Sequence, residues 1–288
     1  MTLYAPLNTI DVKSVESRLP KVFGAPMLRV LNFVALIAVF VINGLGSSTV
    51  LSGRNTQQIS DSFPNWLVPA GTAFSIWGVI YFFLAAWGIY QLLPRSYEDV
   101  AYNQGVGWVF LGNAALNIAW ICVFAFRFPA LSILLISGVL ATNAVVYYRL
   151  KTKDPNPTWA NYLCGHVGFS FYTAWLIGTQ SELSEQGATV VNAFAVATTQ
   201  DLRYIGETIA ALVLVGVIEI FVTLWSGDAI ITGVGCWTLC WIYAKNSTVD
   251  MLGTSALVLA IILGCVSGIM WIHRIYRVVT GKGGDYNV

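Results

Sequence analysis

Charge is the scarcest commodity in this chain. Of 288 residues only 10% are charged, against roughly 25% in an ordinary soluble domain. Fifteen Lys+Arg face fourteen Asp+Glu, and the net charge of +1 gives no pull toward nucleic acid or an acidic substrate. There are two histidines and five cysteines (Cys122, Cys164, Cys236, Cys240 and Cys265). Each cysteine sits in an apolar run, where a disulfide framework is not expected. Cys236 and Cys240 share a helix face without a His or carboxylate at metal spacing, so they read as small buried hydrophobes. No HExxH, GxSxG, P-loop or dinucleotide fingerprint occurs, and no His–carboxylate cluster that would hold a metal. Hydrolysis, phosphoryl transfer and hydride transfer have no visible apparatus, and an enzyme is not expected. Residues 1–26 carry Asp11, Lys13, Glu16, Arg18 and Lys21 but no apolar run, which argues against a signal or transit peptide.

What the chain has instead is hydrophobicity, at 57% of residues, with 11 Trp and 26 Gly. That is more apolar surface than a soluble core can hide. A soluble enzyme, a disordered chain and a secreted disulfide scaffold are excluded, and an integral membrane protein is expected. Eight runs are long and apolar enough to read as spans: 27–50, 70–93, 106–126, 130–150, 161–179, 204–225, 229–244 and 251–276. The expected fold is all-α, a polytopic membrane helix bundle. Residues 186–200 are apolar but short and read as interfacial or re-entrant. Eight spans put both termini on one side. That side then holds Lys13, Arg18, Lys21, Arg29, Arg95, Arg149, Lys151, Lys153, Arg274, Arg277 and Lys282, against Arg54, Arg127, Arg203 and Lys245 opposite. The positive-inside rule makes the richer side cytoplasmic or its equivalent. The sequon at Asn246 lies too close to two span ends for ready use. The loop 51–68 is the longest ordered-looking connection, and such loops form lids at membrane surfaces.

Polar and aromatic residues inside the spans carry the functional signal. In the second span Gly71, Phe74, Gly78 and Tyr81 share a stripe beside Trp77, which suits either tight helix packing or the wall of a flat ligand. Asn113, Asn117 and Trp120 share a face of the third span, and amides in lipid need partners across the bundle or on a ligand. Asn143 lies in the fourth span, and His166, Ser170, Tyr172 and Trp175 in the fifth. His166 suits an interhelical hydrogen bond, or an axial iron ligand if a flat apolar cavity lies beside it. The sixth span holds Glu207 near its start and Glu219 deep inside. A mid-span carboxyl costs about 2.5–3.5 kcal/mol to insert, so Glu219 marks either a proton or polar site or a structural hydrogen bond. Trp237 and Trp241 share a face of the seventh span, and Gly264 and Gly268 make a GxxxG face on the eighth. Two weak cholesterol-type patterns occur, at Val145, Tyr147, Arg149 and at Leu239, Tyr243, Lys245.

Several of these pieces, taken in order, resemble the translocator protein family, the tryptophan-rich sensory proteins once called peripheral benzodiazepine receptors. Trp66 and Pro69 with Phe74, Trp77 and Tyr81 resemble that family's loop-and-second-helix signature. Asn117-Ile-Ala-Trp120 followed by Phe124 resembles its third-helix N-x-x-W, and Tyr172-Thr-Ala-Trp175 its fifth-helix Y-x-x-W. The resemblance implies a five-helix bundle with a pocket under the first loop that takes porphyrins, sterols or similar flat molecules. Its candidate residues are Trp66, Phe74, Trp77, Tyr81, Asn117, Trp120, Tyr172 and Trp175, joined by Asn113 from its place on the third-span face. Compact members end after five helices, whereas a longer, tryptophan-rich variety is similar throughout. The proline usual before Tyr172 is missing here.

The expected organisation is a polar segment at 1–26, a translocator-like bundle at 27–180, a loop or interfacial helix at 181–203, further spans at 204–277 and a tail at 278–288. The first functional reading is binding of a tetrapyrrole or sterol-like ligand for transport, sensing or buffering. No cofactor is required, and membrane lipids and a small hydrophobic ligand are the expected partners. A second reading is an accessory subunit of a large respiratory or photosynthetic membrane complex. A third is a proton-coupled transporter using Glu219, although no inverted repeat or pair of broken helices is visible.

Overall fold

A computed structural model describes residues 25–61, 66–97, 99, 101–178 and 205–280. The expected re-entrant stretch at 186–200 lies outside them, as do nearly all of the N-terminal segment and of the tail. Among the described residues there are eight helices of 12 residues or more and no strand. They are α1 (Ala25–Ser47), α2 (Ile76–Tyr90), α3 (Val109–Ala125), α4 (Pro129–Lys153), α5 (Val167–Gly178), α6 (Ile205–Ser226), α7 (Ala229–Asn246) and α8 (Asp250–Val279). Each coincides with one expected span. Five segments are long and apolar enough to cross a membrane: Pro26–Ser47, Gly71–Tyr90, Leu131–Lys153, Ile205–Ser226 and Asp250–Arg277. Helices α3, α5 and α7 are shorter or more polar, and each packs between neighbours.

Local chemistry sets the helix ends. α3 closes in a Schellman-type turn: Phe128 N–H donates to Val123 O and Arg127 N–H to Phe124 O, with Arg127 at φ 61°. Pro129 then opens α4, where a missing N–H costs nothing. α6 and α7 are joined by two residues. Gly227 takes the left-handed conformation (φ 66°), and the Asp228 carboxylate caps α7 by accepting from Ile230 N–H at 3.1 Å. The start of the second span differs from the expected continuous α-helix. Gly71–Ser75 is a 3₁₀ turn, so Gly71 leaves the stripe of Phe74 and Tyr81 and instead sits tight under the Gln57 side chain. The fifth span likewise enters through a π turn, Tyr162–His166.

Helices α1–α5 form a closed ring in the order α1, α2, α5, α4, α3. Its core is aromatic: Trp87 lies 4.5 Å from Phe110 and 5.3 Å from Phe169, centroid to centroid, among Leu36, Ile80 and Val139. Glycines allow the closest crossings. A Cβ at Gly168 would come within 3.1 Å of backbone atoms of Phe83 and Leu84 on α2, and one at Gly138 within 3.1 Å of Leu116. Helices α6–α8 make a second layer with its own core of Leu212, Leu239, Ile242, Leu252 and Leu263. It docks through α7 onto α5 and the Gly71–Ser75 turn. Gly264 meets Cys236 Sγ at this layer's α7–α8 contact, while Gly268 faces open space, so half of the GxxxG face is used. The outer surface is apolar: Phe82, Leu134, Phe221 and Ile272 are each more than two-thirds exposed, a surface suited to lipid rather than water. Cys240 and Cys265 are exposed on that surface and Cys122, Cys164 and Cys236 are half-buried, which corrects the reading of the cysteines as buried.

Candidate functional site

A cluster of rings forms toward the end of the bundle that carries the 51–68 connection. Trp77 on α2 lies 5.3 Å from Tyr81, 5.9 Å from Tyr172 and 6.1 Å from Trp175. Phe74 stands edge-on to Trp175 at 5.9 Å, and Phe40 from α1 reaches Tyr81 at 5.1 Å. Tyr172 and Trp175 are buried, whereas Phe74, Trp77 and Tyr81 are partly open. The Phe74–Trp175, Trp77–Tyr172 and Trp77–Trp175 contacts are edge to face, which suits the ring quadrupoles.

A chain of neutral hydrogen bonds crosses the ring of helices beside these side chains. Asn43 Nδ2 donates to Asn117 Oδ1 at 2.7 Å, and Asn117 Nδ2 donates to the Tyr172 hydroxyl oxygen at 2.9 Å. The chain ties α1, α3 and α5 together. One turn along α3, Trp120 stacks on Phe124 at 5.5 Å, and its buried Nε1 has no hydrogen-bond partner among the described residues. The short helix Thr56–Asp61 covers this end: Thr56 Oγ1 donates to Gly46 O, and Ile59 is 1% exposed in the same core.

Two of the candidate residues lie elsewhere. Trp66 packs on the second layer, and its carbonyl accepts from Asn246 Nδ2 at 3.1 Å. Asn113 turns to α4, donating to Val139 O at 3.0 Å and Thr142 Oγ1 at 2.9 Å. The same geometry buries Asn246 and commits its amide N–H groups to Trp66 O and Ile242 O, which leaves the sequon asparagine no role on a surface. Phe40 and Asn43 escaped the sequence reading. The signal was there: Asn43 is an amide deep in a mostly apolar span, one turn from an aromatic.

The opposite end of the bundle is charged. Asp228, fully buried, accepts from Lys151 Nζ at 2.7 Å, Ser170 Oγ at 2.6 Å and Tyr147 OH at 3.2 Å. Burial pushes this carboxyl up, but the Lys151 ammonium, the Ser170 hydroxyl and the Ile230 N–H outweigh it and hold Asp228 below the usual carboxylate value. His166 Nε2 pairs with Asp154 Oδ2 at 3.1 Å, an interhelical role rather than a place beside the rings. Arg274 of α8 lies 3.7 Å over the Tyr162 ring. Arg29 of α1 donates to Gln91 O, Ser96 and Asn103 at 2.7–2.8 Å. Glu219 belongs to neither end. It is fully buried and its carboxyl oxygens have no hydrogen-bond partner among the described residues. It sits in a notch made by Gly178 of α5 and Gly235 of α7, where a Cβ at residue 235 would collide with it. No group of three or more His, Cys, Asp or Glu able to hold a metal occurs among the described residues.

Searches of the curated proteins and of the solved structures gave no match. A family model described as TSPO-like protein matches residues 29–269, from the first turns of α1 into α8, so the match also takes in the second layer. With that match across most of its length and several helices able to span a bilayer, the chain is an integral membrane protein and belongs to the translocator-protein-like family.

Proposed function

We propose that the ring cluster binds a flat apolar ligand, tetrapyrrole or sterol-like, which the protein carries, senses or buffers within the membrane. The supporting observation is the meeting of Trp77, Tyr172 and Trp175 from two helices beside the neutral Asn43–Asn117–Tyr172 chain. Rings supply dispersion and apolar burial, at about 25 cal/mol per Å² less ordering costs, and the amides fix orientation. No covalent step is required. The test is titration of purified protein with protoporphyrin, followed by tryptophan quenching. Saturable quenching that is lost in the Trp77→Ala, Trp175→Ala double variant is the expected result. Quenching that never saturates, or is indifferent to both substitutions, would sink the reading.

The charged end is proposed to face the cytoplasm, with both termini on that side. Arg29, Lys151 and Arg274 all engage there, and cytoplasmic ends carry the Lys/Arg excess. Cysteines placed at residues 55 and 280 should label from opposite sides of sealed membranes. A second reading, proton-coupled transport, draws on the unpartnered carboxyl of Glu219. It requires that Glu219→Gln abolish pH-dependent flux while leaving the fold intact.

A further inference from the structure

The ring cluster belongs to α1–α5, yet α7 touches it directly. Trp237 Nε1 donates to Ala73 O at 3.1 Å, and Ala70 N–H donates to Trp241 O at 3.2 Å. These two bonds clamp one face of α7 along the 3₁₀ turn that carries Phe74. The indoles of Trp237 and Trp241 stand edge to face at 5.5 Å, and Trp241 packs against the core that includes Trp175 and Tyr172. Trp237 has spent its N–H on Ala73. The Nε1 of Trp241 is buried and has no hydrogen-bond partner among the described residues.

A buried N–H without an acceptor costs about 1–3 kcal/mol, so a site that retains one has a use for it. The hydrogen-bonding groups around the rings are unbalanced in the same sense. Asn43 and Asn117 spend their amides on Val39 O, on each other and on Tyr172. Three indole donors of this core, Trp87 Nε1, Trp120 Nε1 and Trp241 Nε1, have no partner among the described residues; Trp87 lies between Phe110 and Phe169, whereas Trp241 lies on α7 beside the turn that carries Phe74. The side chains that meet these rings are neutral indoles, phenols, phenyls and the Asn117 amide.

We propose that α7 completes the ligand site, with Trp241 Nε1 donating a hydrogen bond to an acceptor oxygen on the flat ligand. This rests on the reading of the ring cluster as a ligand site and adds to it the ligand's chemistry. The occupant carries a carbonyl, carboxyl or ester oxygen at its edge, and it is held by neutral donors rather than by an ion pair. It also makes the second layer part of the binding apparatus, because five helices alone lack this donor.

Three porphyrins test it on the full-length protein in detergent. Mesoporphyrin carries two carboxyl groups, its dimethyl ester carries uncharged acceptor oxygens, and etioporphyrin is an alkyl-only ring of similar area. Each is titrated against the parent chain and Trp241→Phe, which keeps a ring and removes the N–H. The expected result is a loss of about five- to tenfold in affinity for the acid and the ester, matching one neutral hydrogen bond of about 1 kcal/mol, with etioporphyrin unchanged. Equal weakening of all three porphyrins, or no change for any, overturns the donor role of Trp241. Loss confined to the acid overturns recognition by neutral donors. Failure of every porphyrin to bind the parent chain defeats the underlying reading of the ring cluster instead. Should Trp241→Phe melt earlier than the parent, Trp237→Phe serves as the control. It removes the bond to Ala73 and should weaken all three ligands alike, leaving the Trp241 contrast readable.

Discussion

The two ends of this bundle solve the same problem in opposite ways. At the Asp228 end, helices α4, α5 and the α6–α7 turn are held by a buried carboxylate with one ammonium, two hydroxyl contacts and a cap. At the ring end, α1, α3 and α5 are held by neutral amides and a phenol, with the rings of α2 packed beside them. The Asp228 carboxylate spends both its oxygens on Lys151, Ser170, Tyr147 and Ile230, so it fixes geometry, although Arg29 Nε, Gln91 Nε2 and Tyr102 OH at the same end have no partner among the described residues. The neutral end keeps donors in hand and rings partly open. On the proposed reading, rigidity and binding fall to different halves of the same helices.

The sharpest way to break that division is Asp228→Ala. Removing one partner of a buried, hydrogen-bonded ion pair leaves Lys151 uncompensated, which costs about 3–5 kcal/mol. Unfolding in detergent should show a loss of that size, while protoporphyrin affinity of the folded fraction stays near that of the parent chain. A collapse of affinity at unchanged stability would place the binding function at the wrong end. Acid gives an independent reading of the same pair. Asp228 titrates below its unfolded value, so its contribution is present above about pH 4 and is lost as pH falls through the folded value. The Asp228→Asn, Lys151→Met double variant should lack that acid-dependent loss.

Gly235→Ala probes the place between the two ends. A methyl there meets the Glu219 carboxyl and Leu263 at the α6–α7–α8 contact, and overpacking of this kind costs about 1–3 kcal/mol. The expected outcome is a lower melting midpoint, relieved when Glu219→Ala removes the obstructing side chain in the same chain. A methyl tolerated without cost would mean that the second layer is loosely packed around Glu219, and the proposed share of α7 in the ligand site would weaken with it.

How much of this was legible follows from what each feature depends on. Spans come from runs of apolar residues, a local property, and all eight match helices. The ring cluster was readable through the family resemblance, which joins Phe74, Trp77 and Tyr81 on one segment to Tyr172 and Trp175 on another. The Asp228 clamp was not readable. Lys151 looks like one more basic residue at a span end and Asp228 like a loop acid, and only the two-residue turn at Gly227 folds the carboxylate inward. Trp66 was misplaced for a related reason: the direction in which a long loop leaves the bundle is set by what it meets, here Asn246 on α7. The π turn before α5 and the 3₁₀ turn before α2 have no periodic signature at all.

The smallest expected effect is the most discriminating. Tyr172→Phe removes the hydroxyl that accepts from Asn117 but keeps the ring that faces Trp77 at 5.9 Å. Interhelical hydrogen bonds within membranes average about 0.6 kcal/mol and reach about 1.7, so the stability loss should be well under that of Asp228→Ala. If the neutral chain serves chiefly to orient groups around a ligand, the freed Asn117 amide should alter which porphyrin binds best more than how firmly the bundle holds. The readout is the ratio of mesoporphyrin to etioporphyrin affinity, measured beside the melting midpoint. A shifted ratio with a nearly unmoved midpoint supports a division between a rigid end and a binding end. A midpoint that falls as far as it does for Asp228→Ala, with the ratio constant, would show that both ends are structural and that the rings pack for the bundle's own sake.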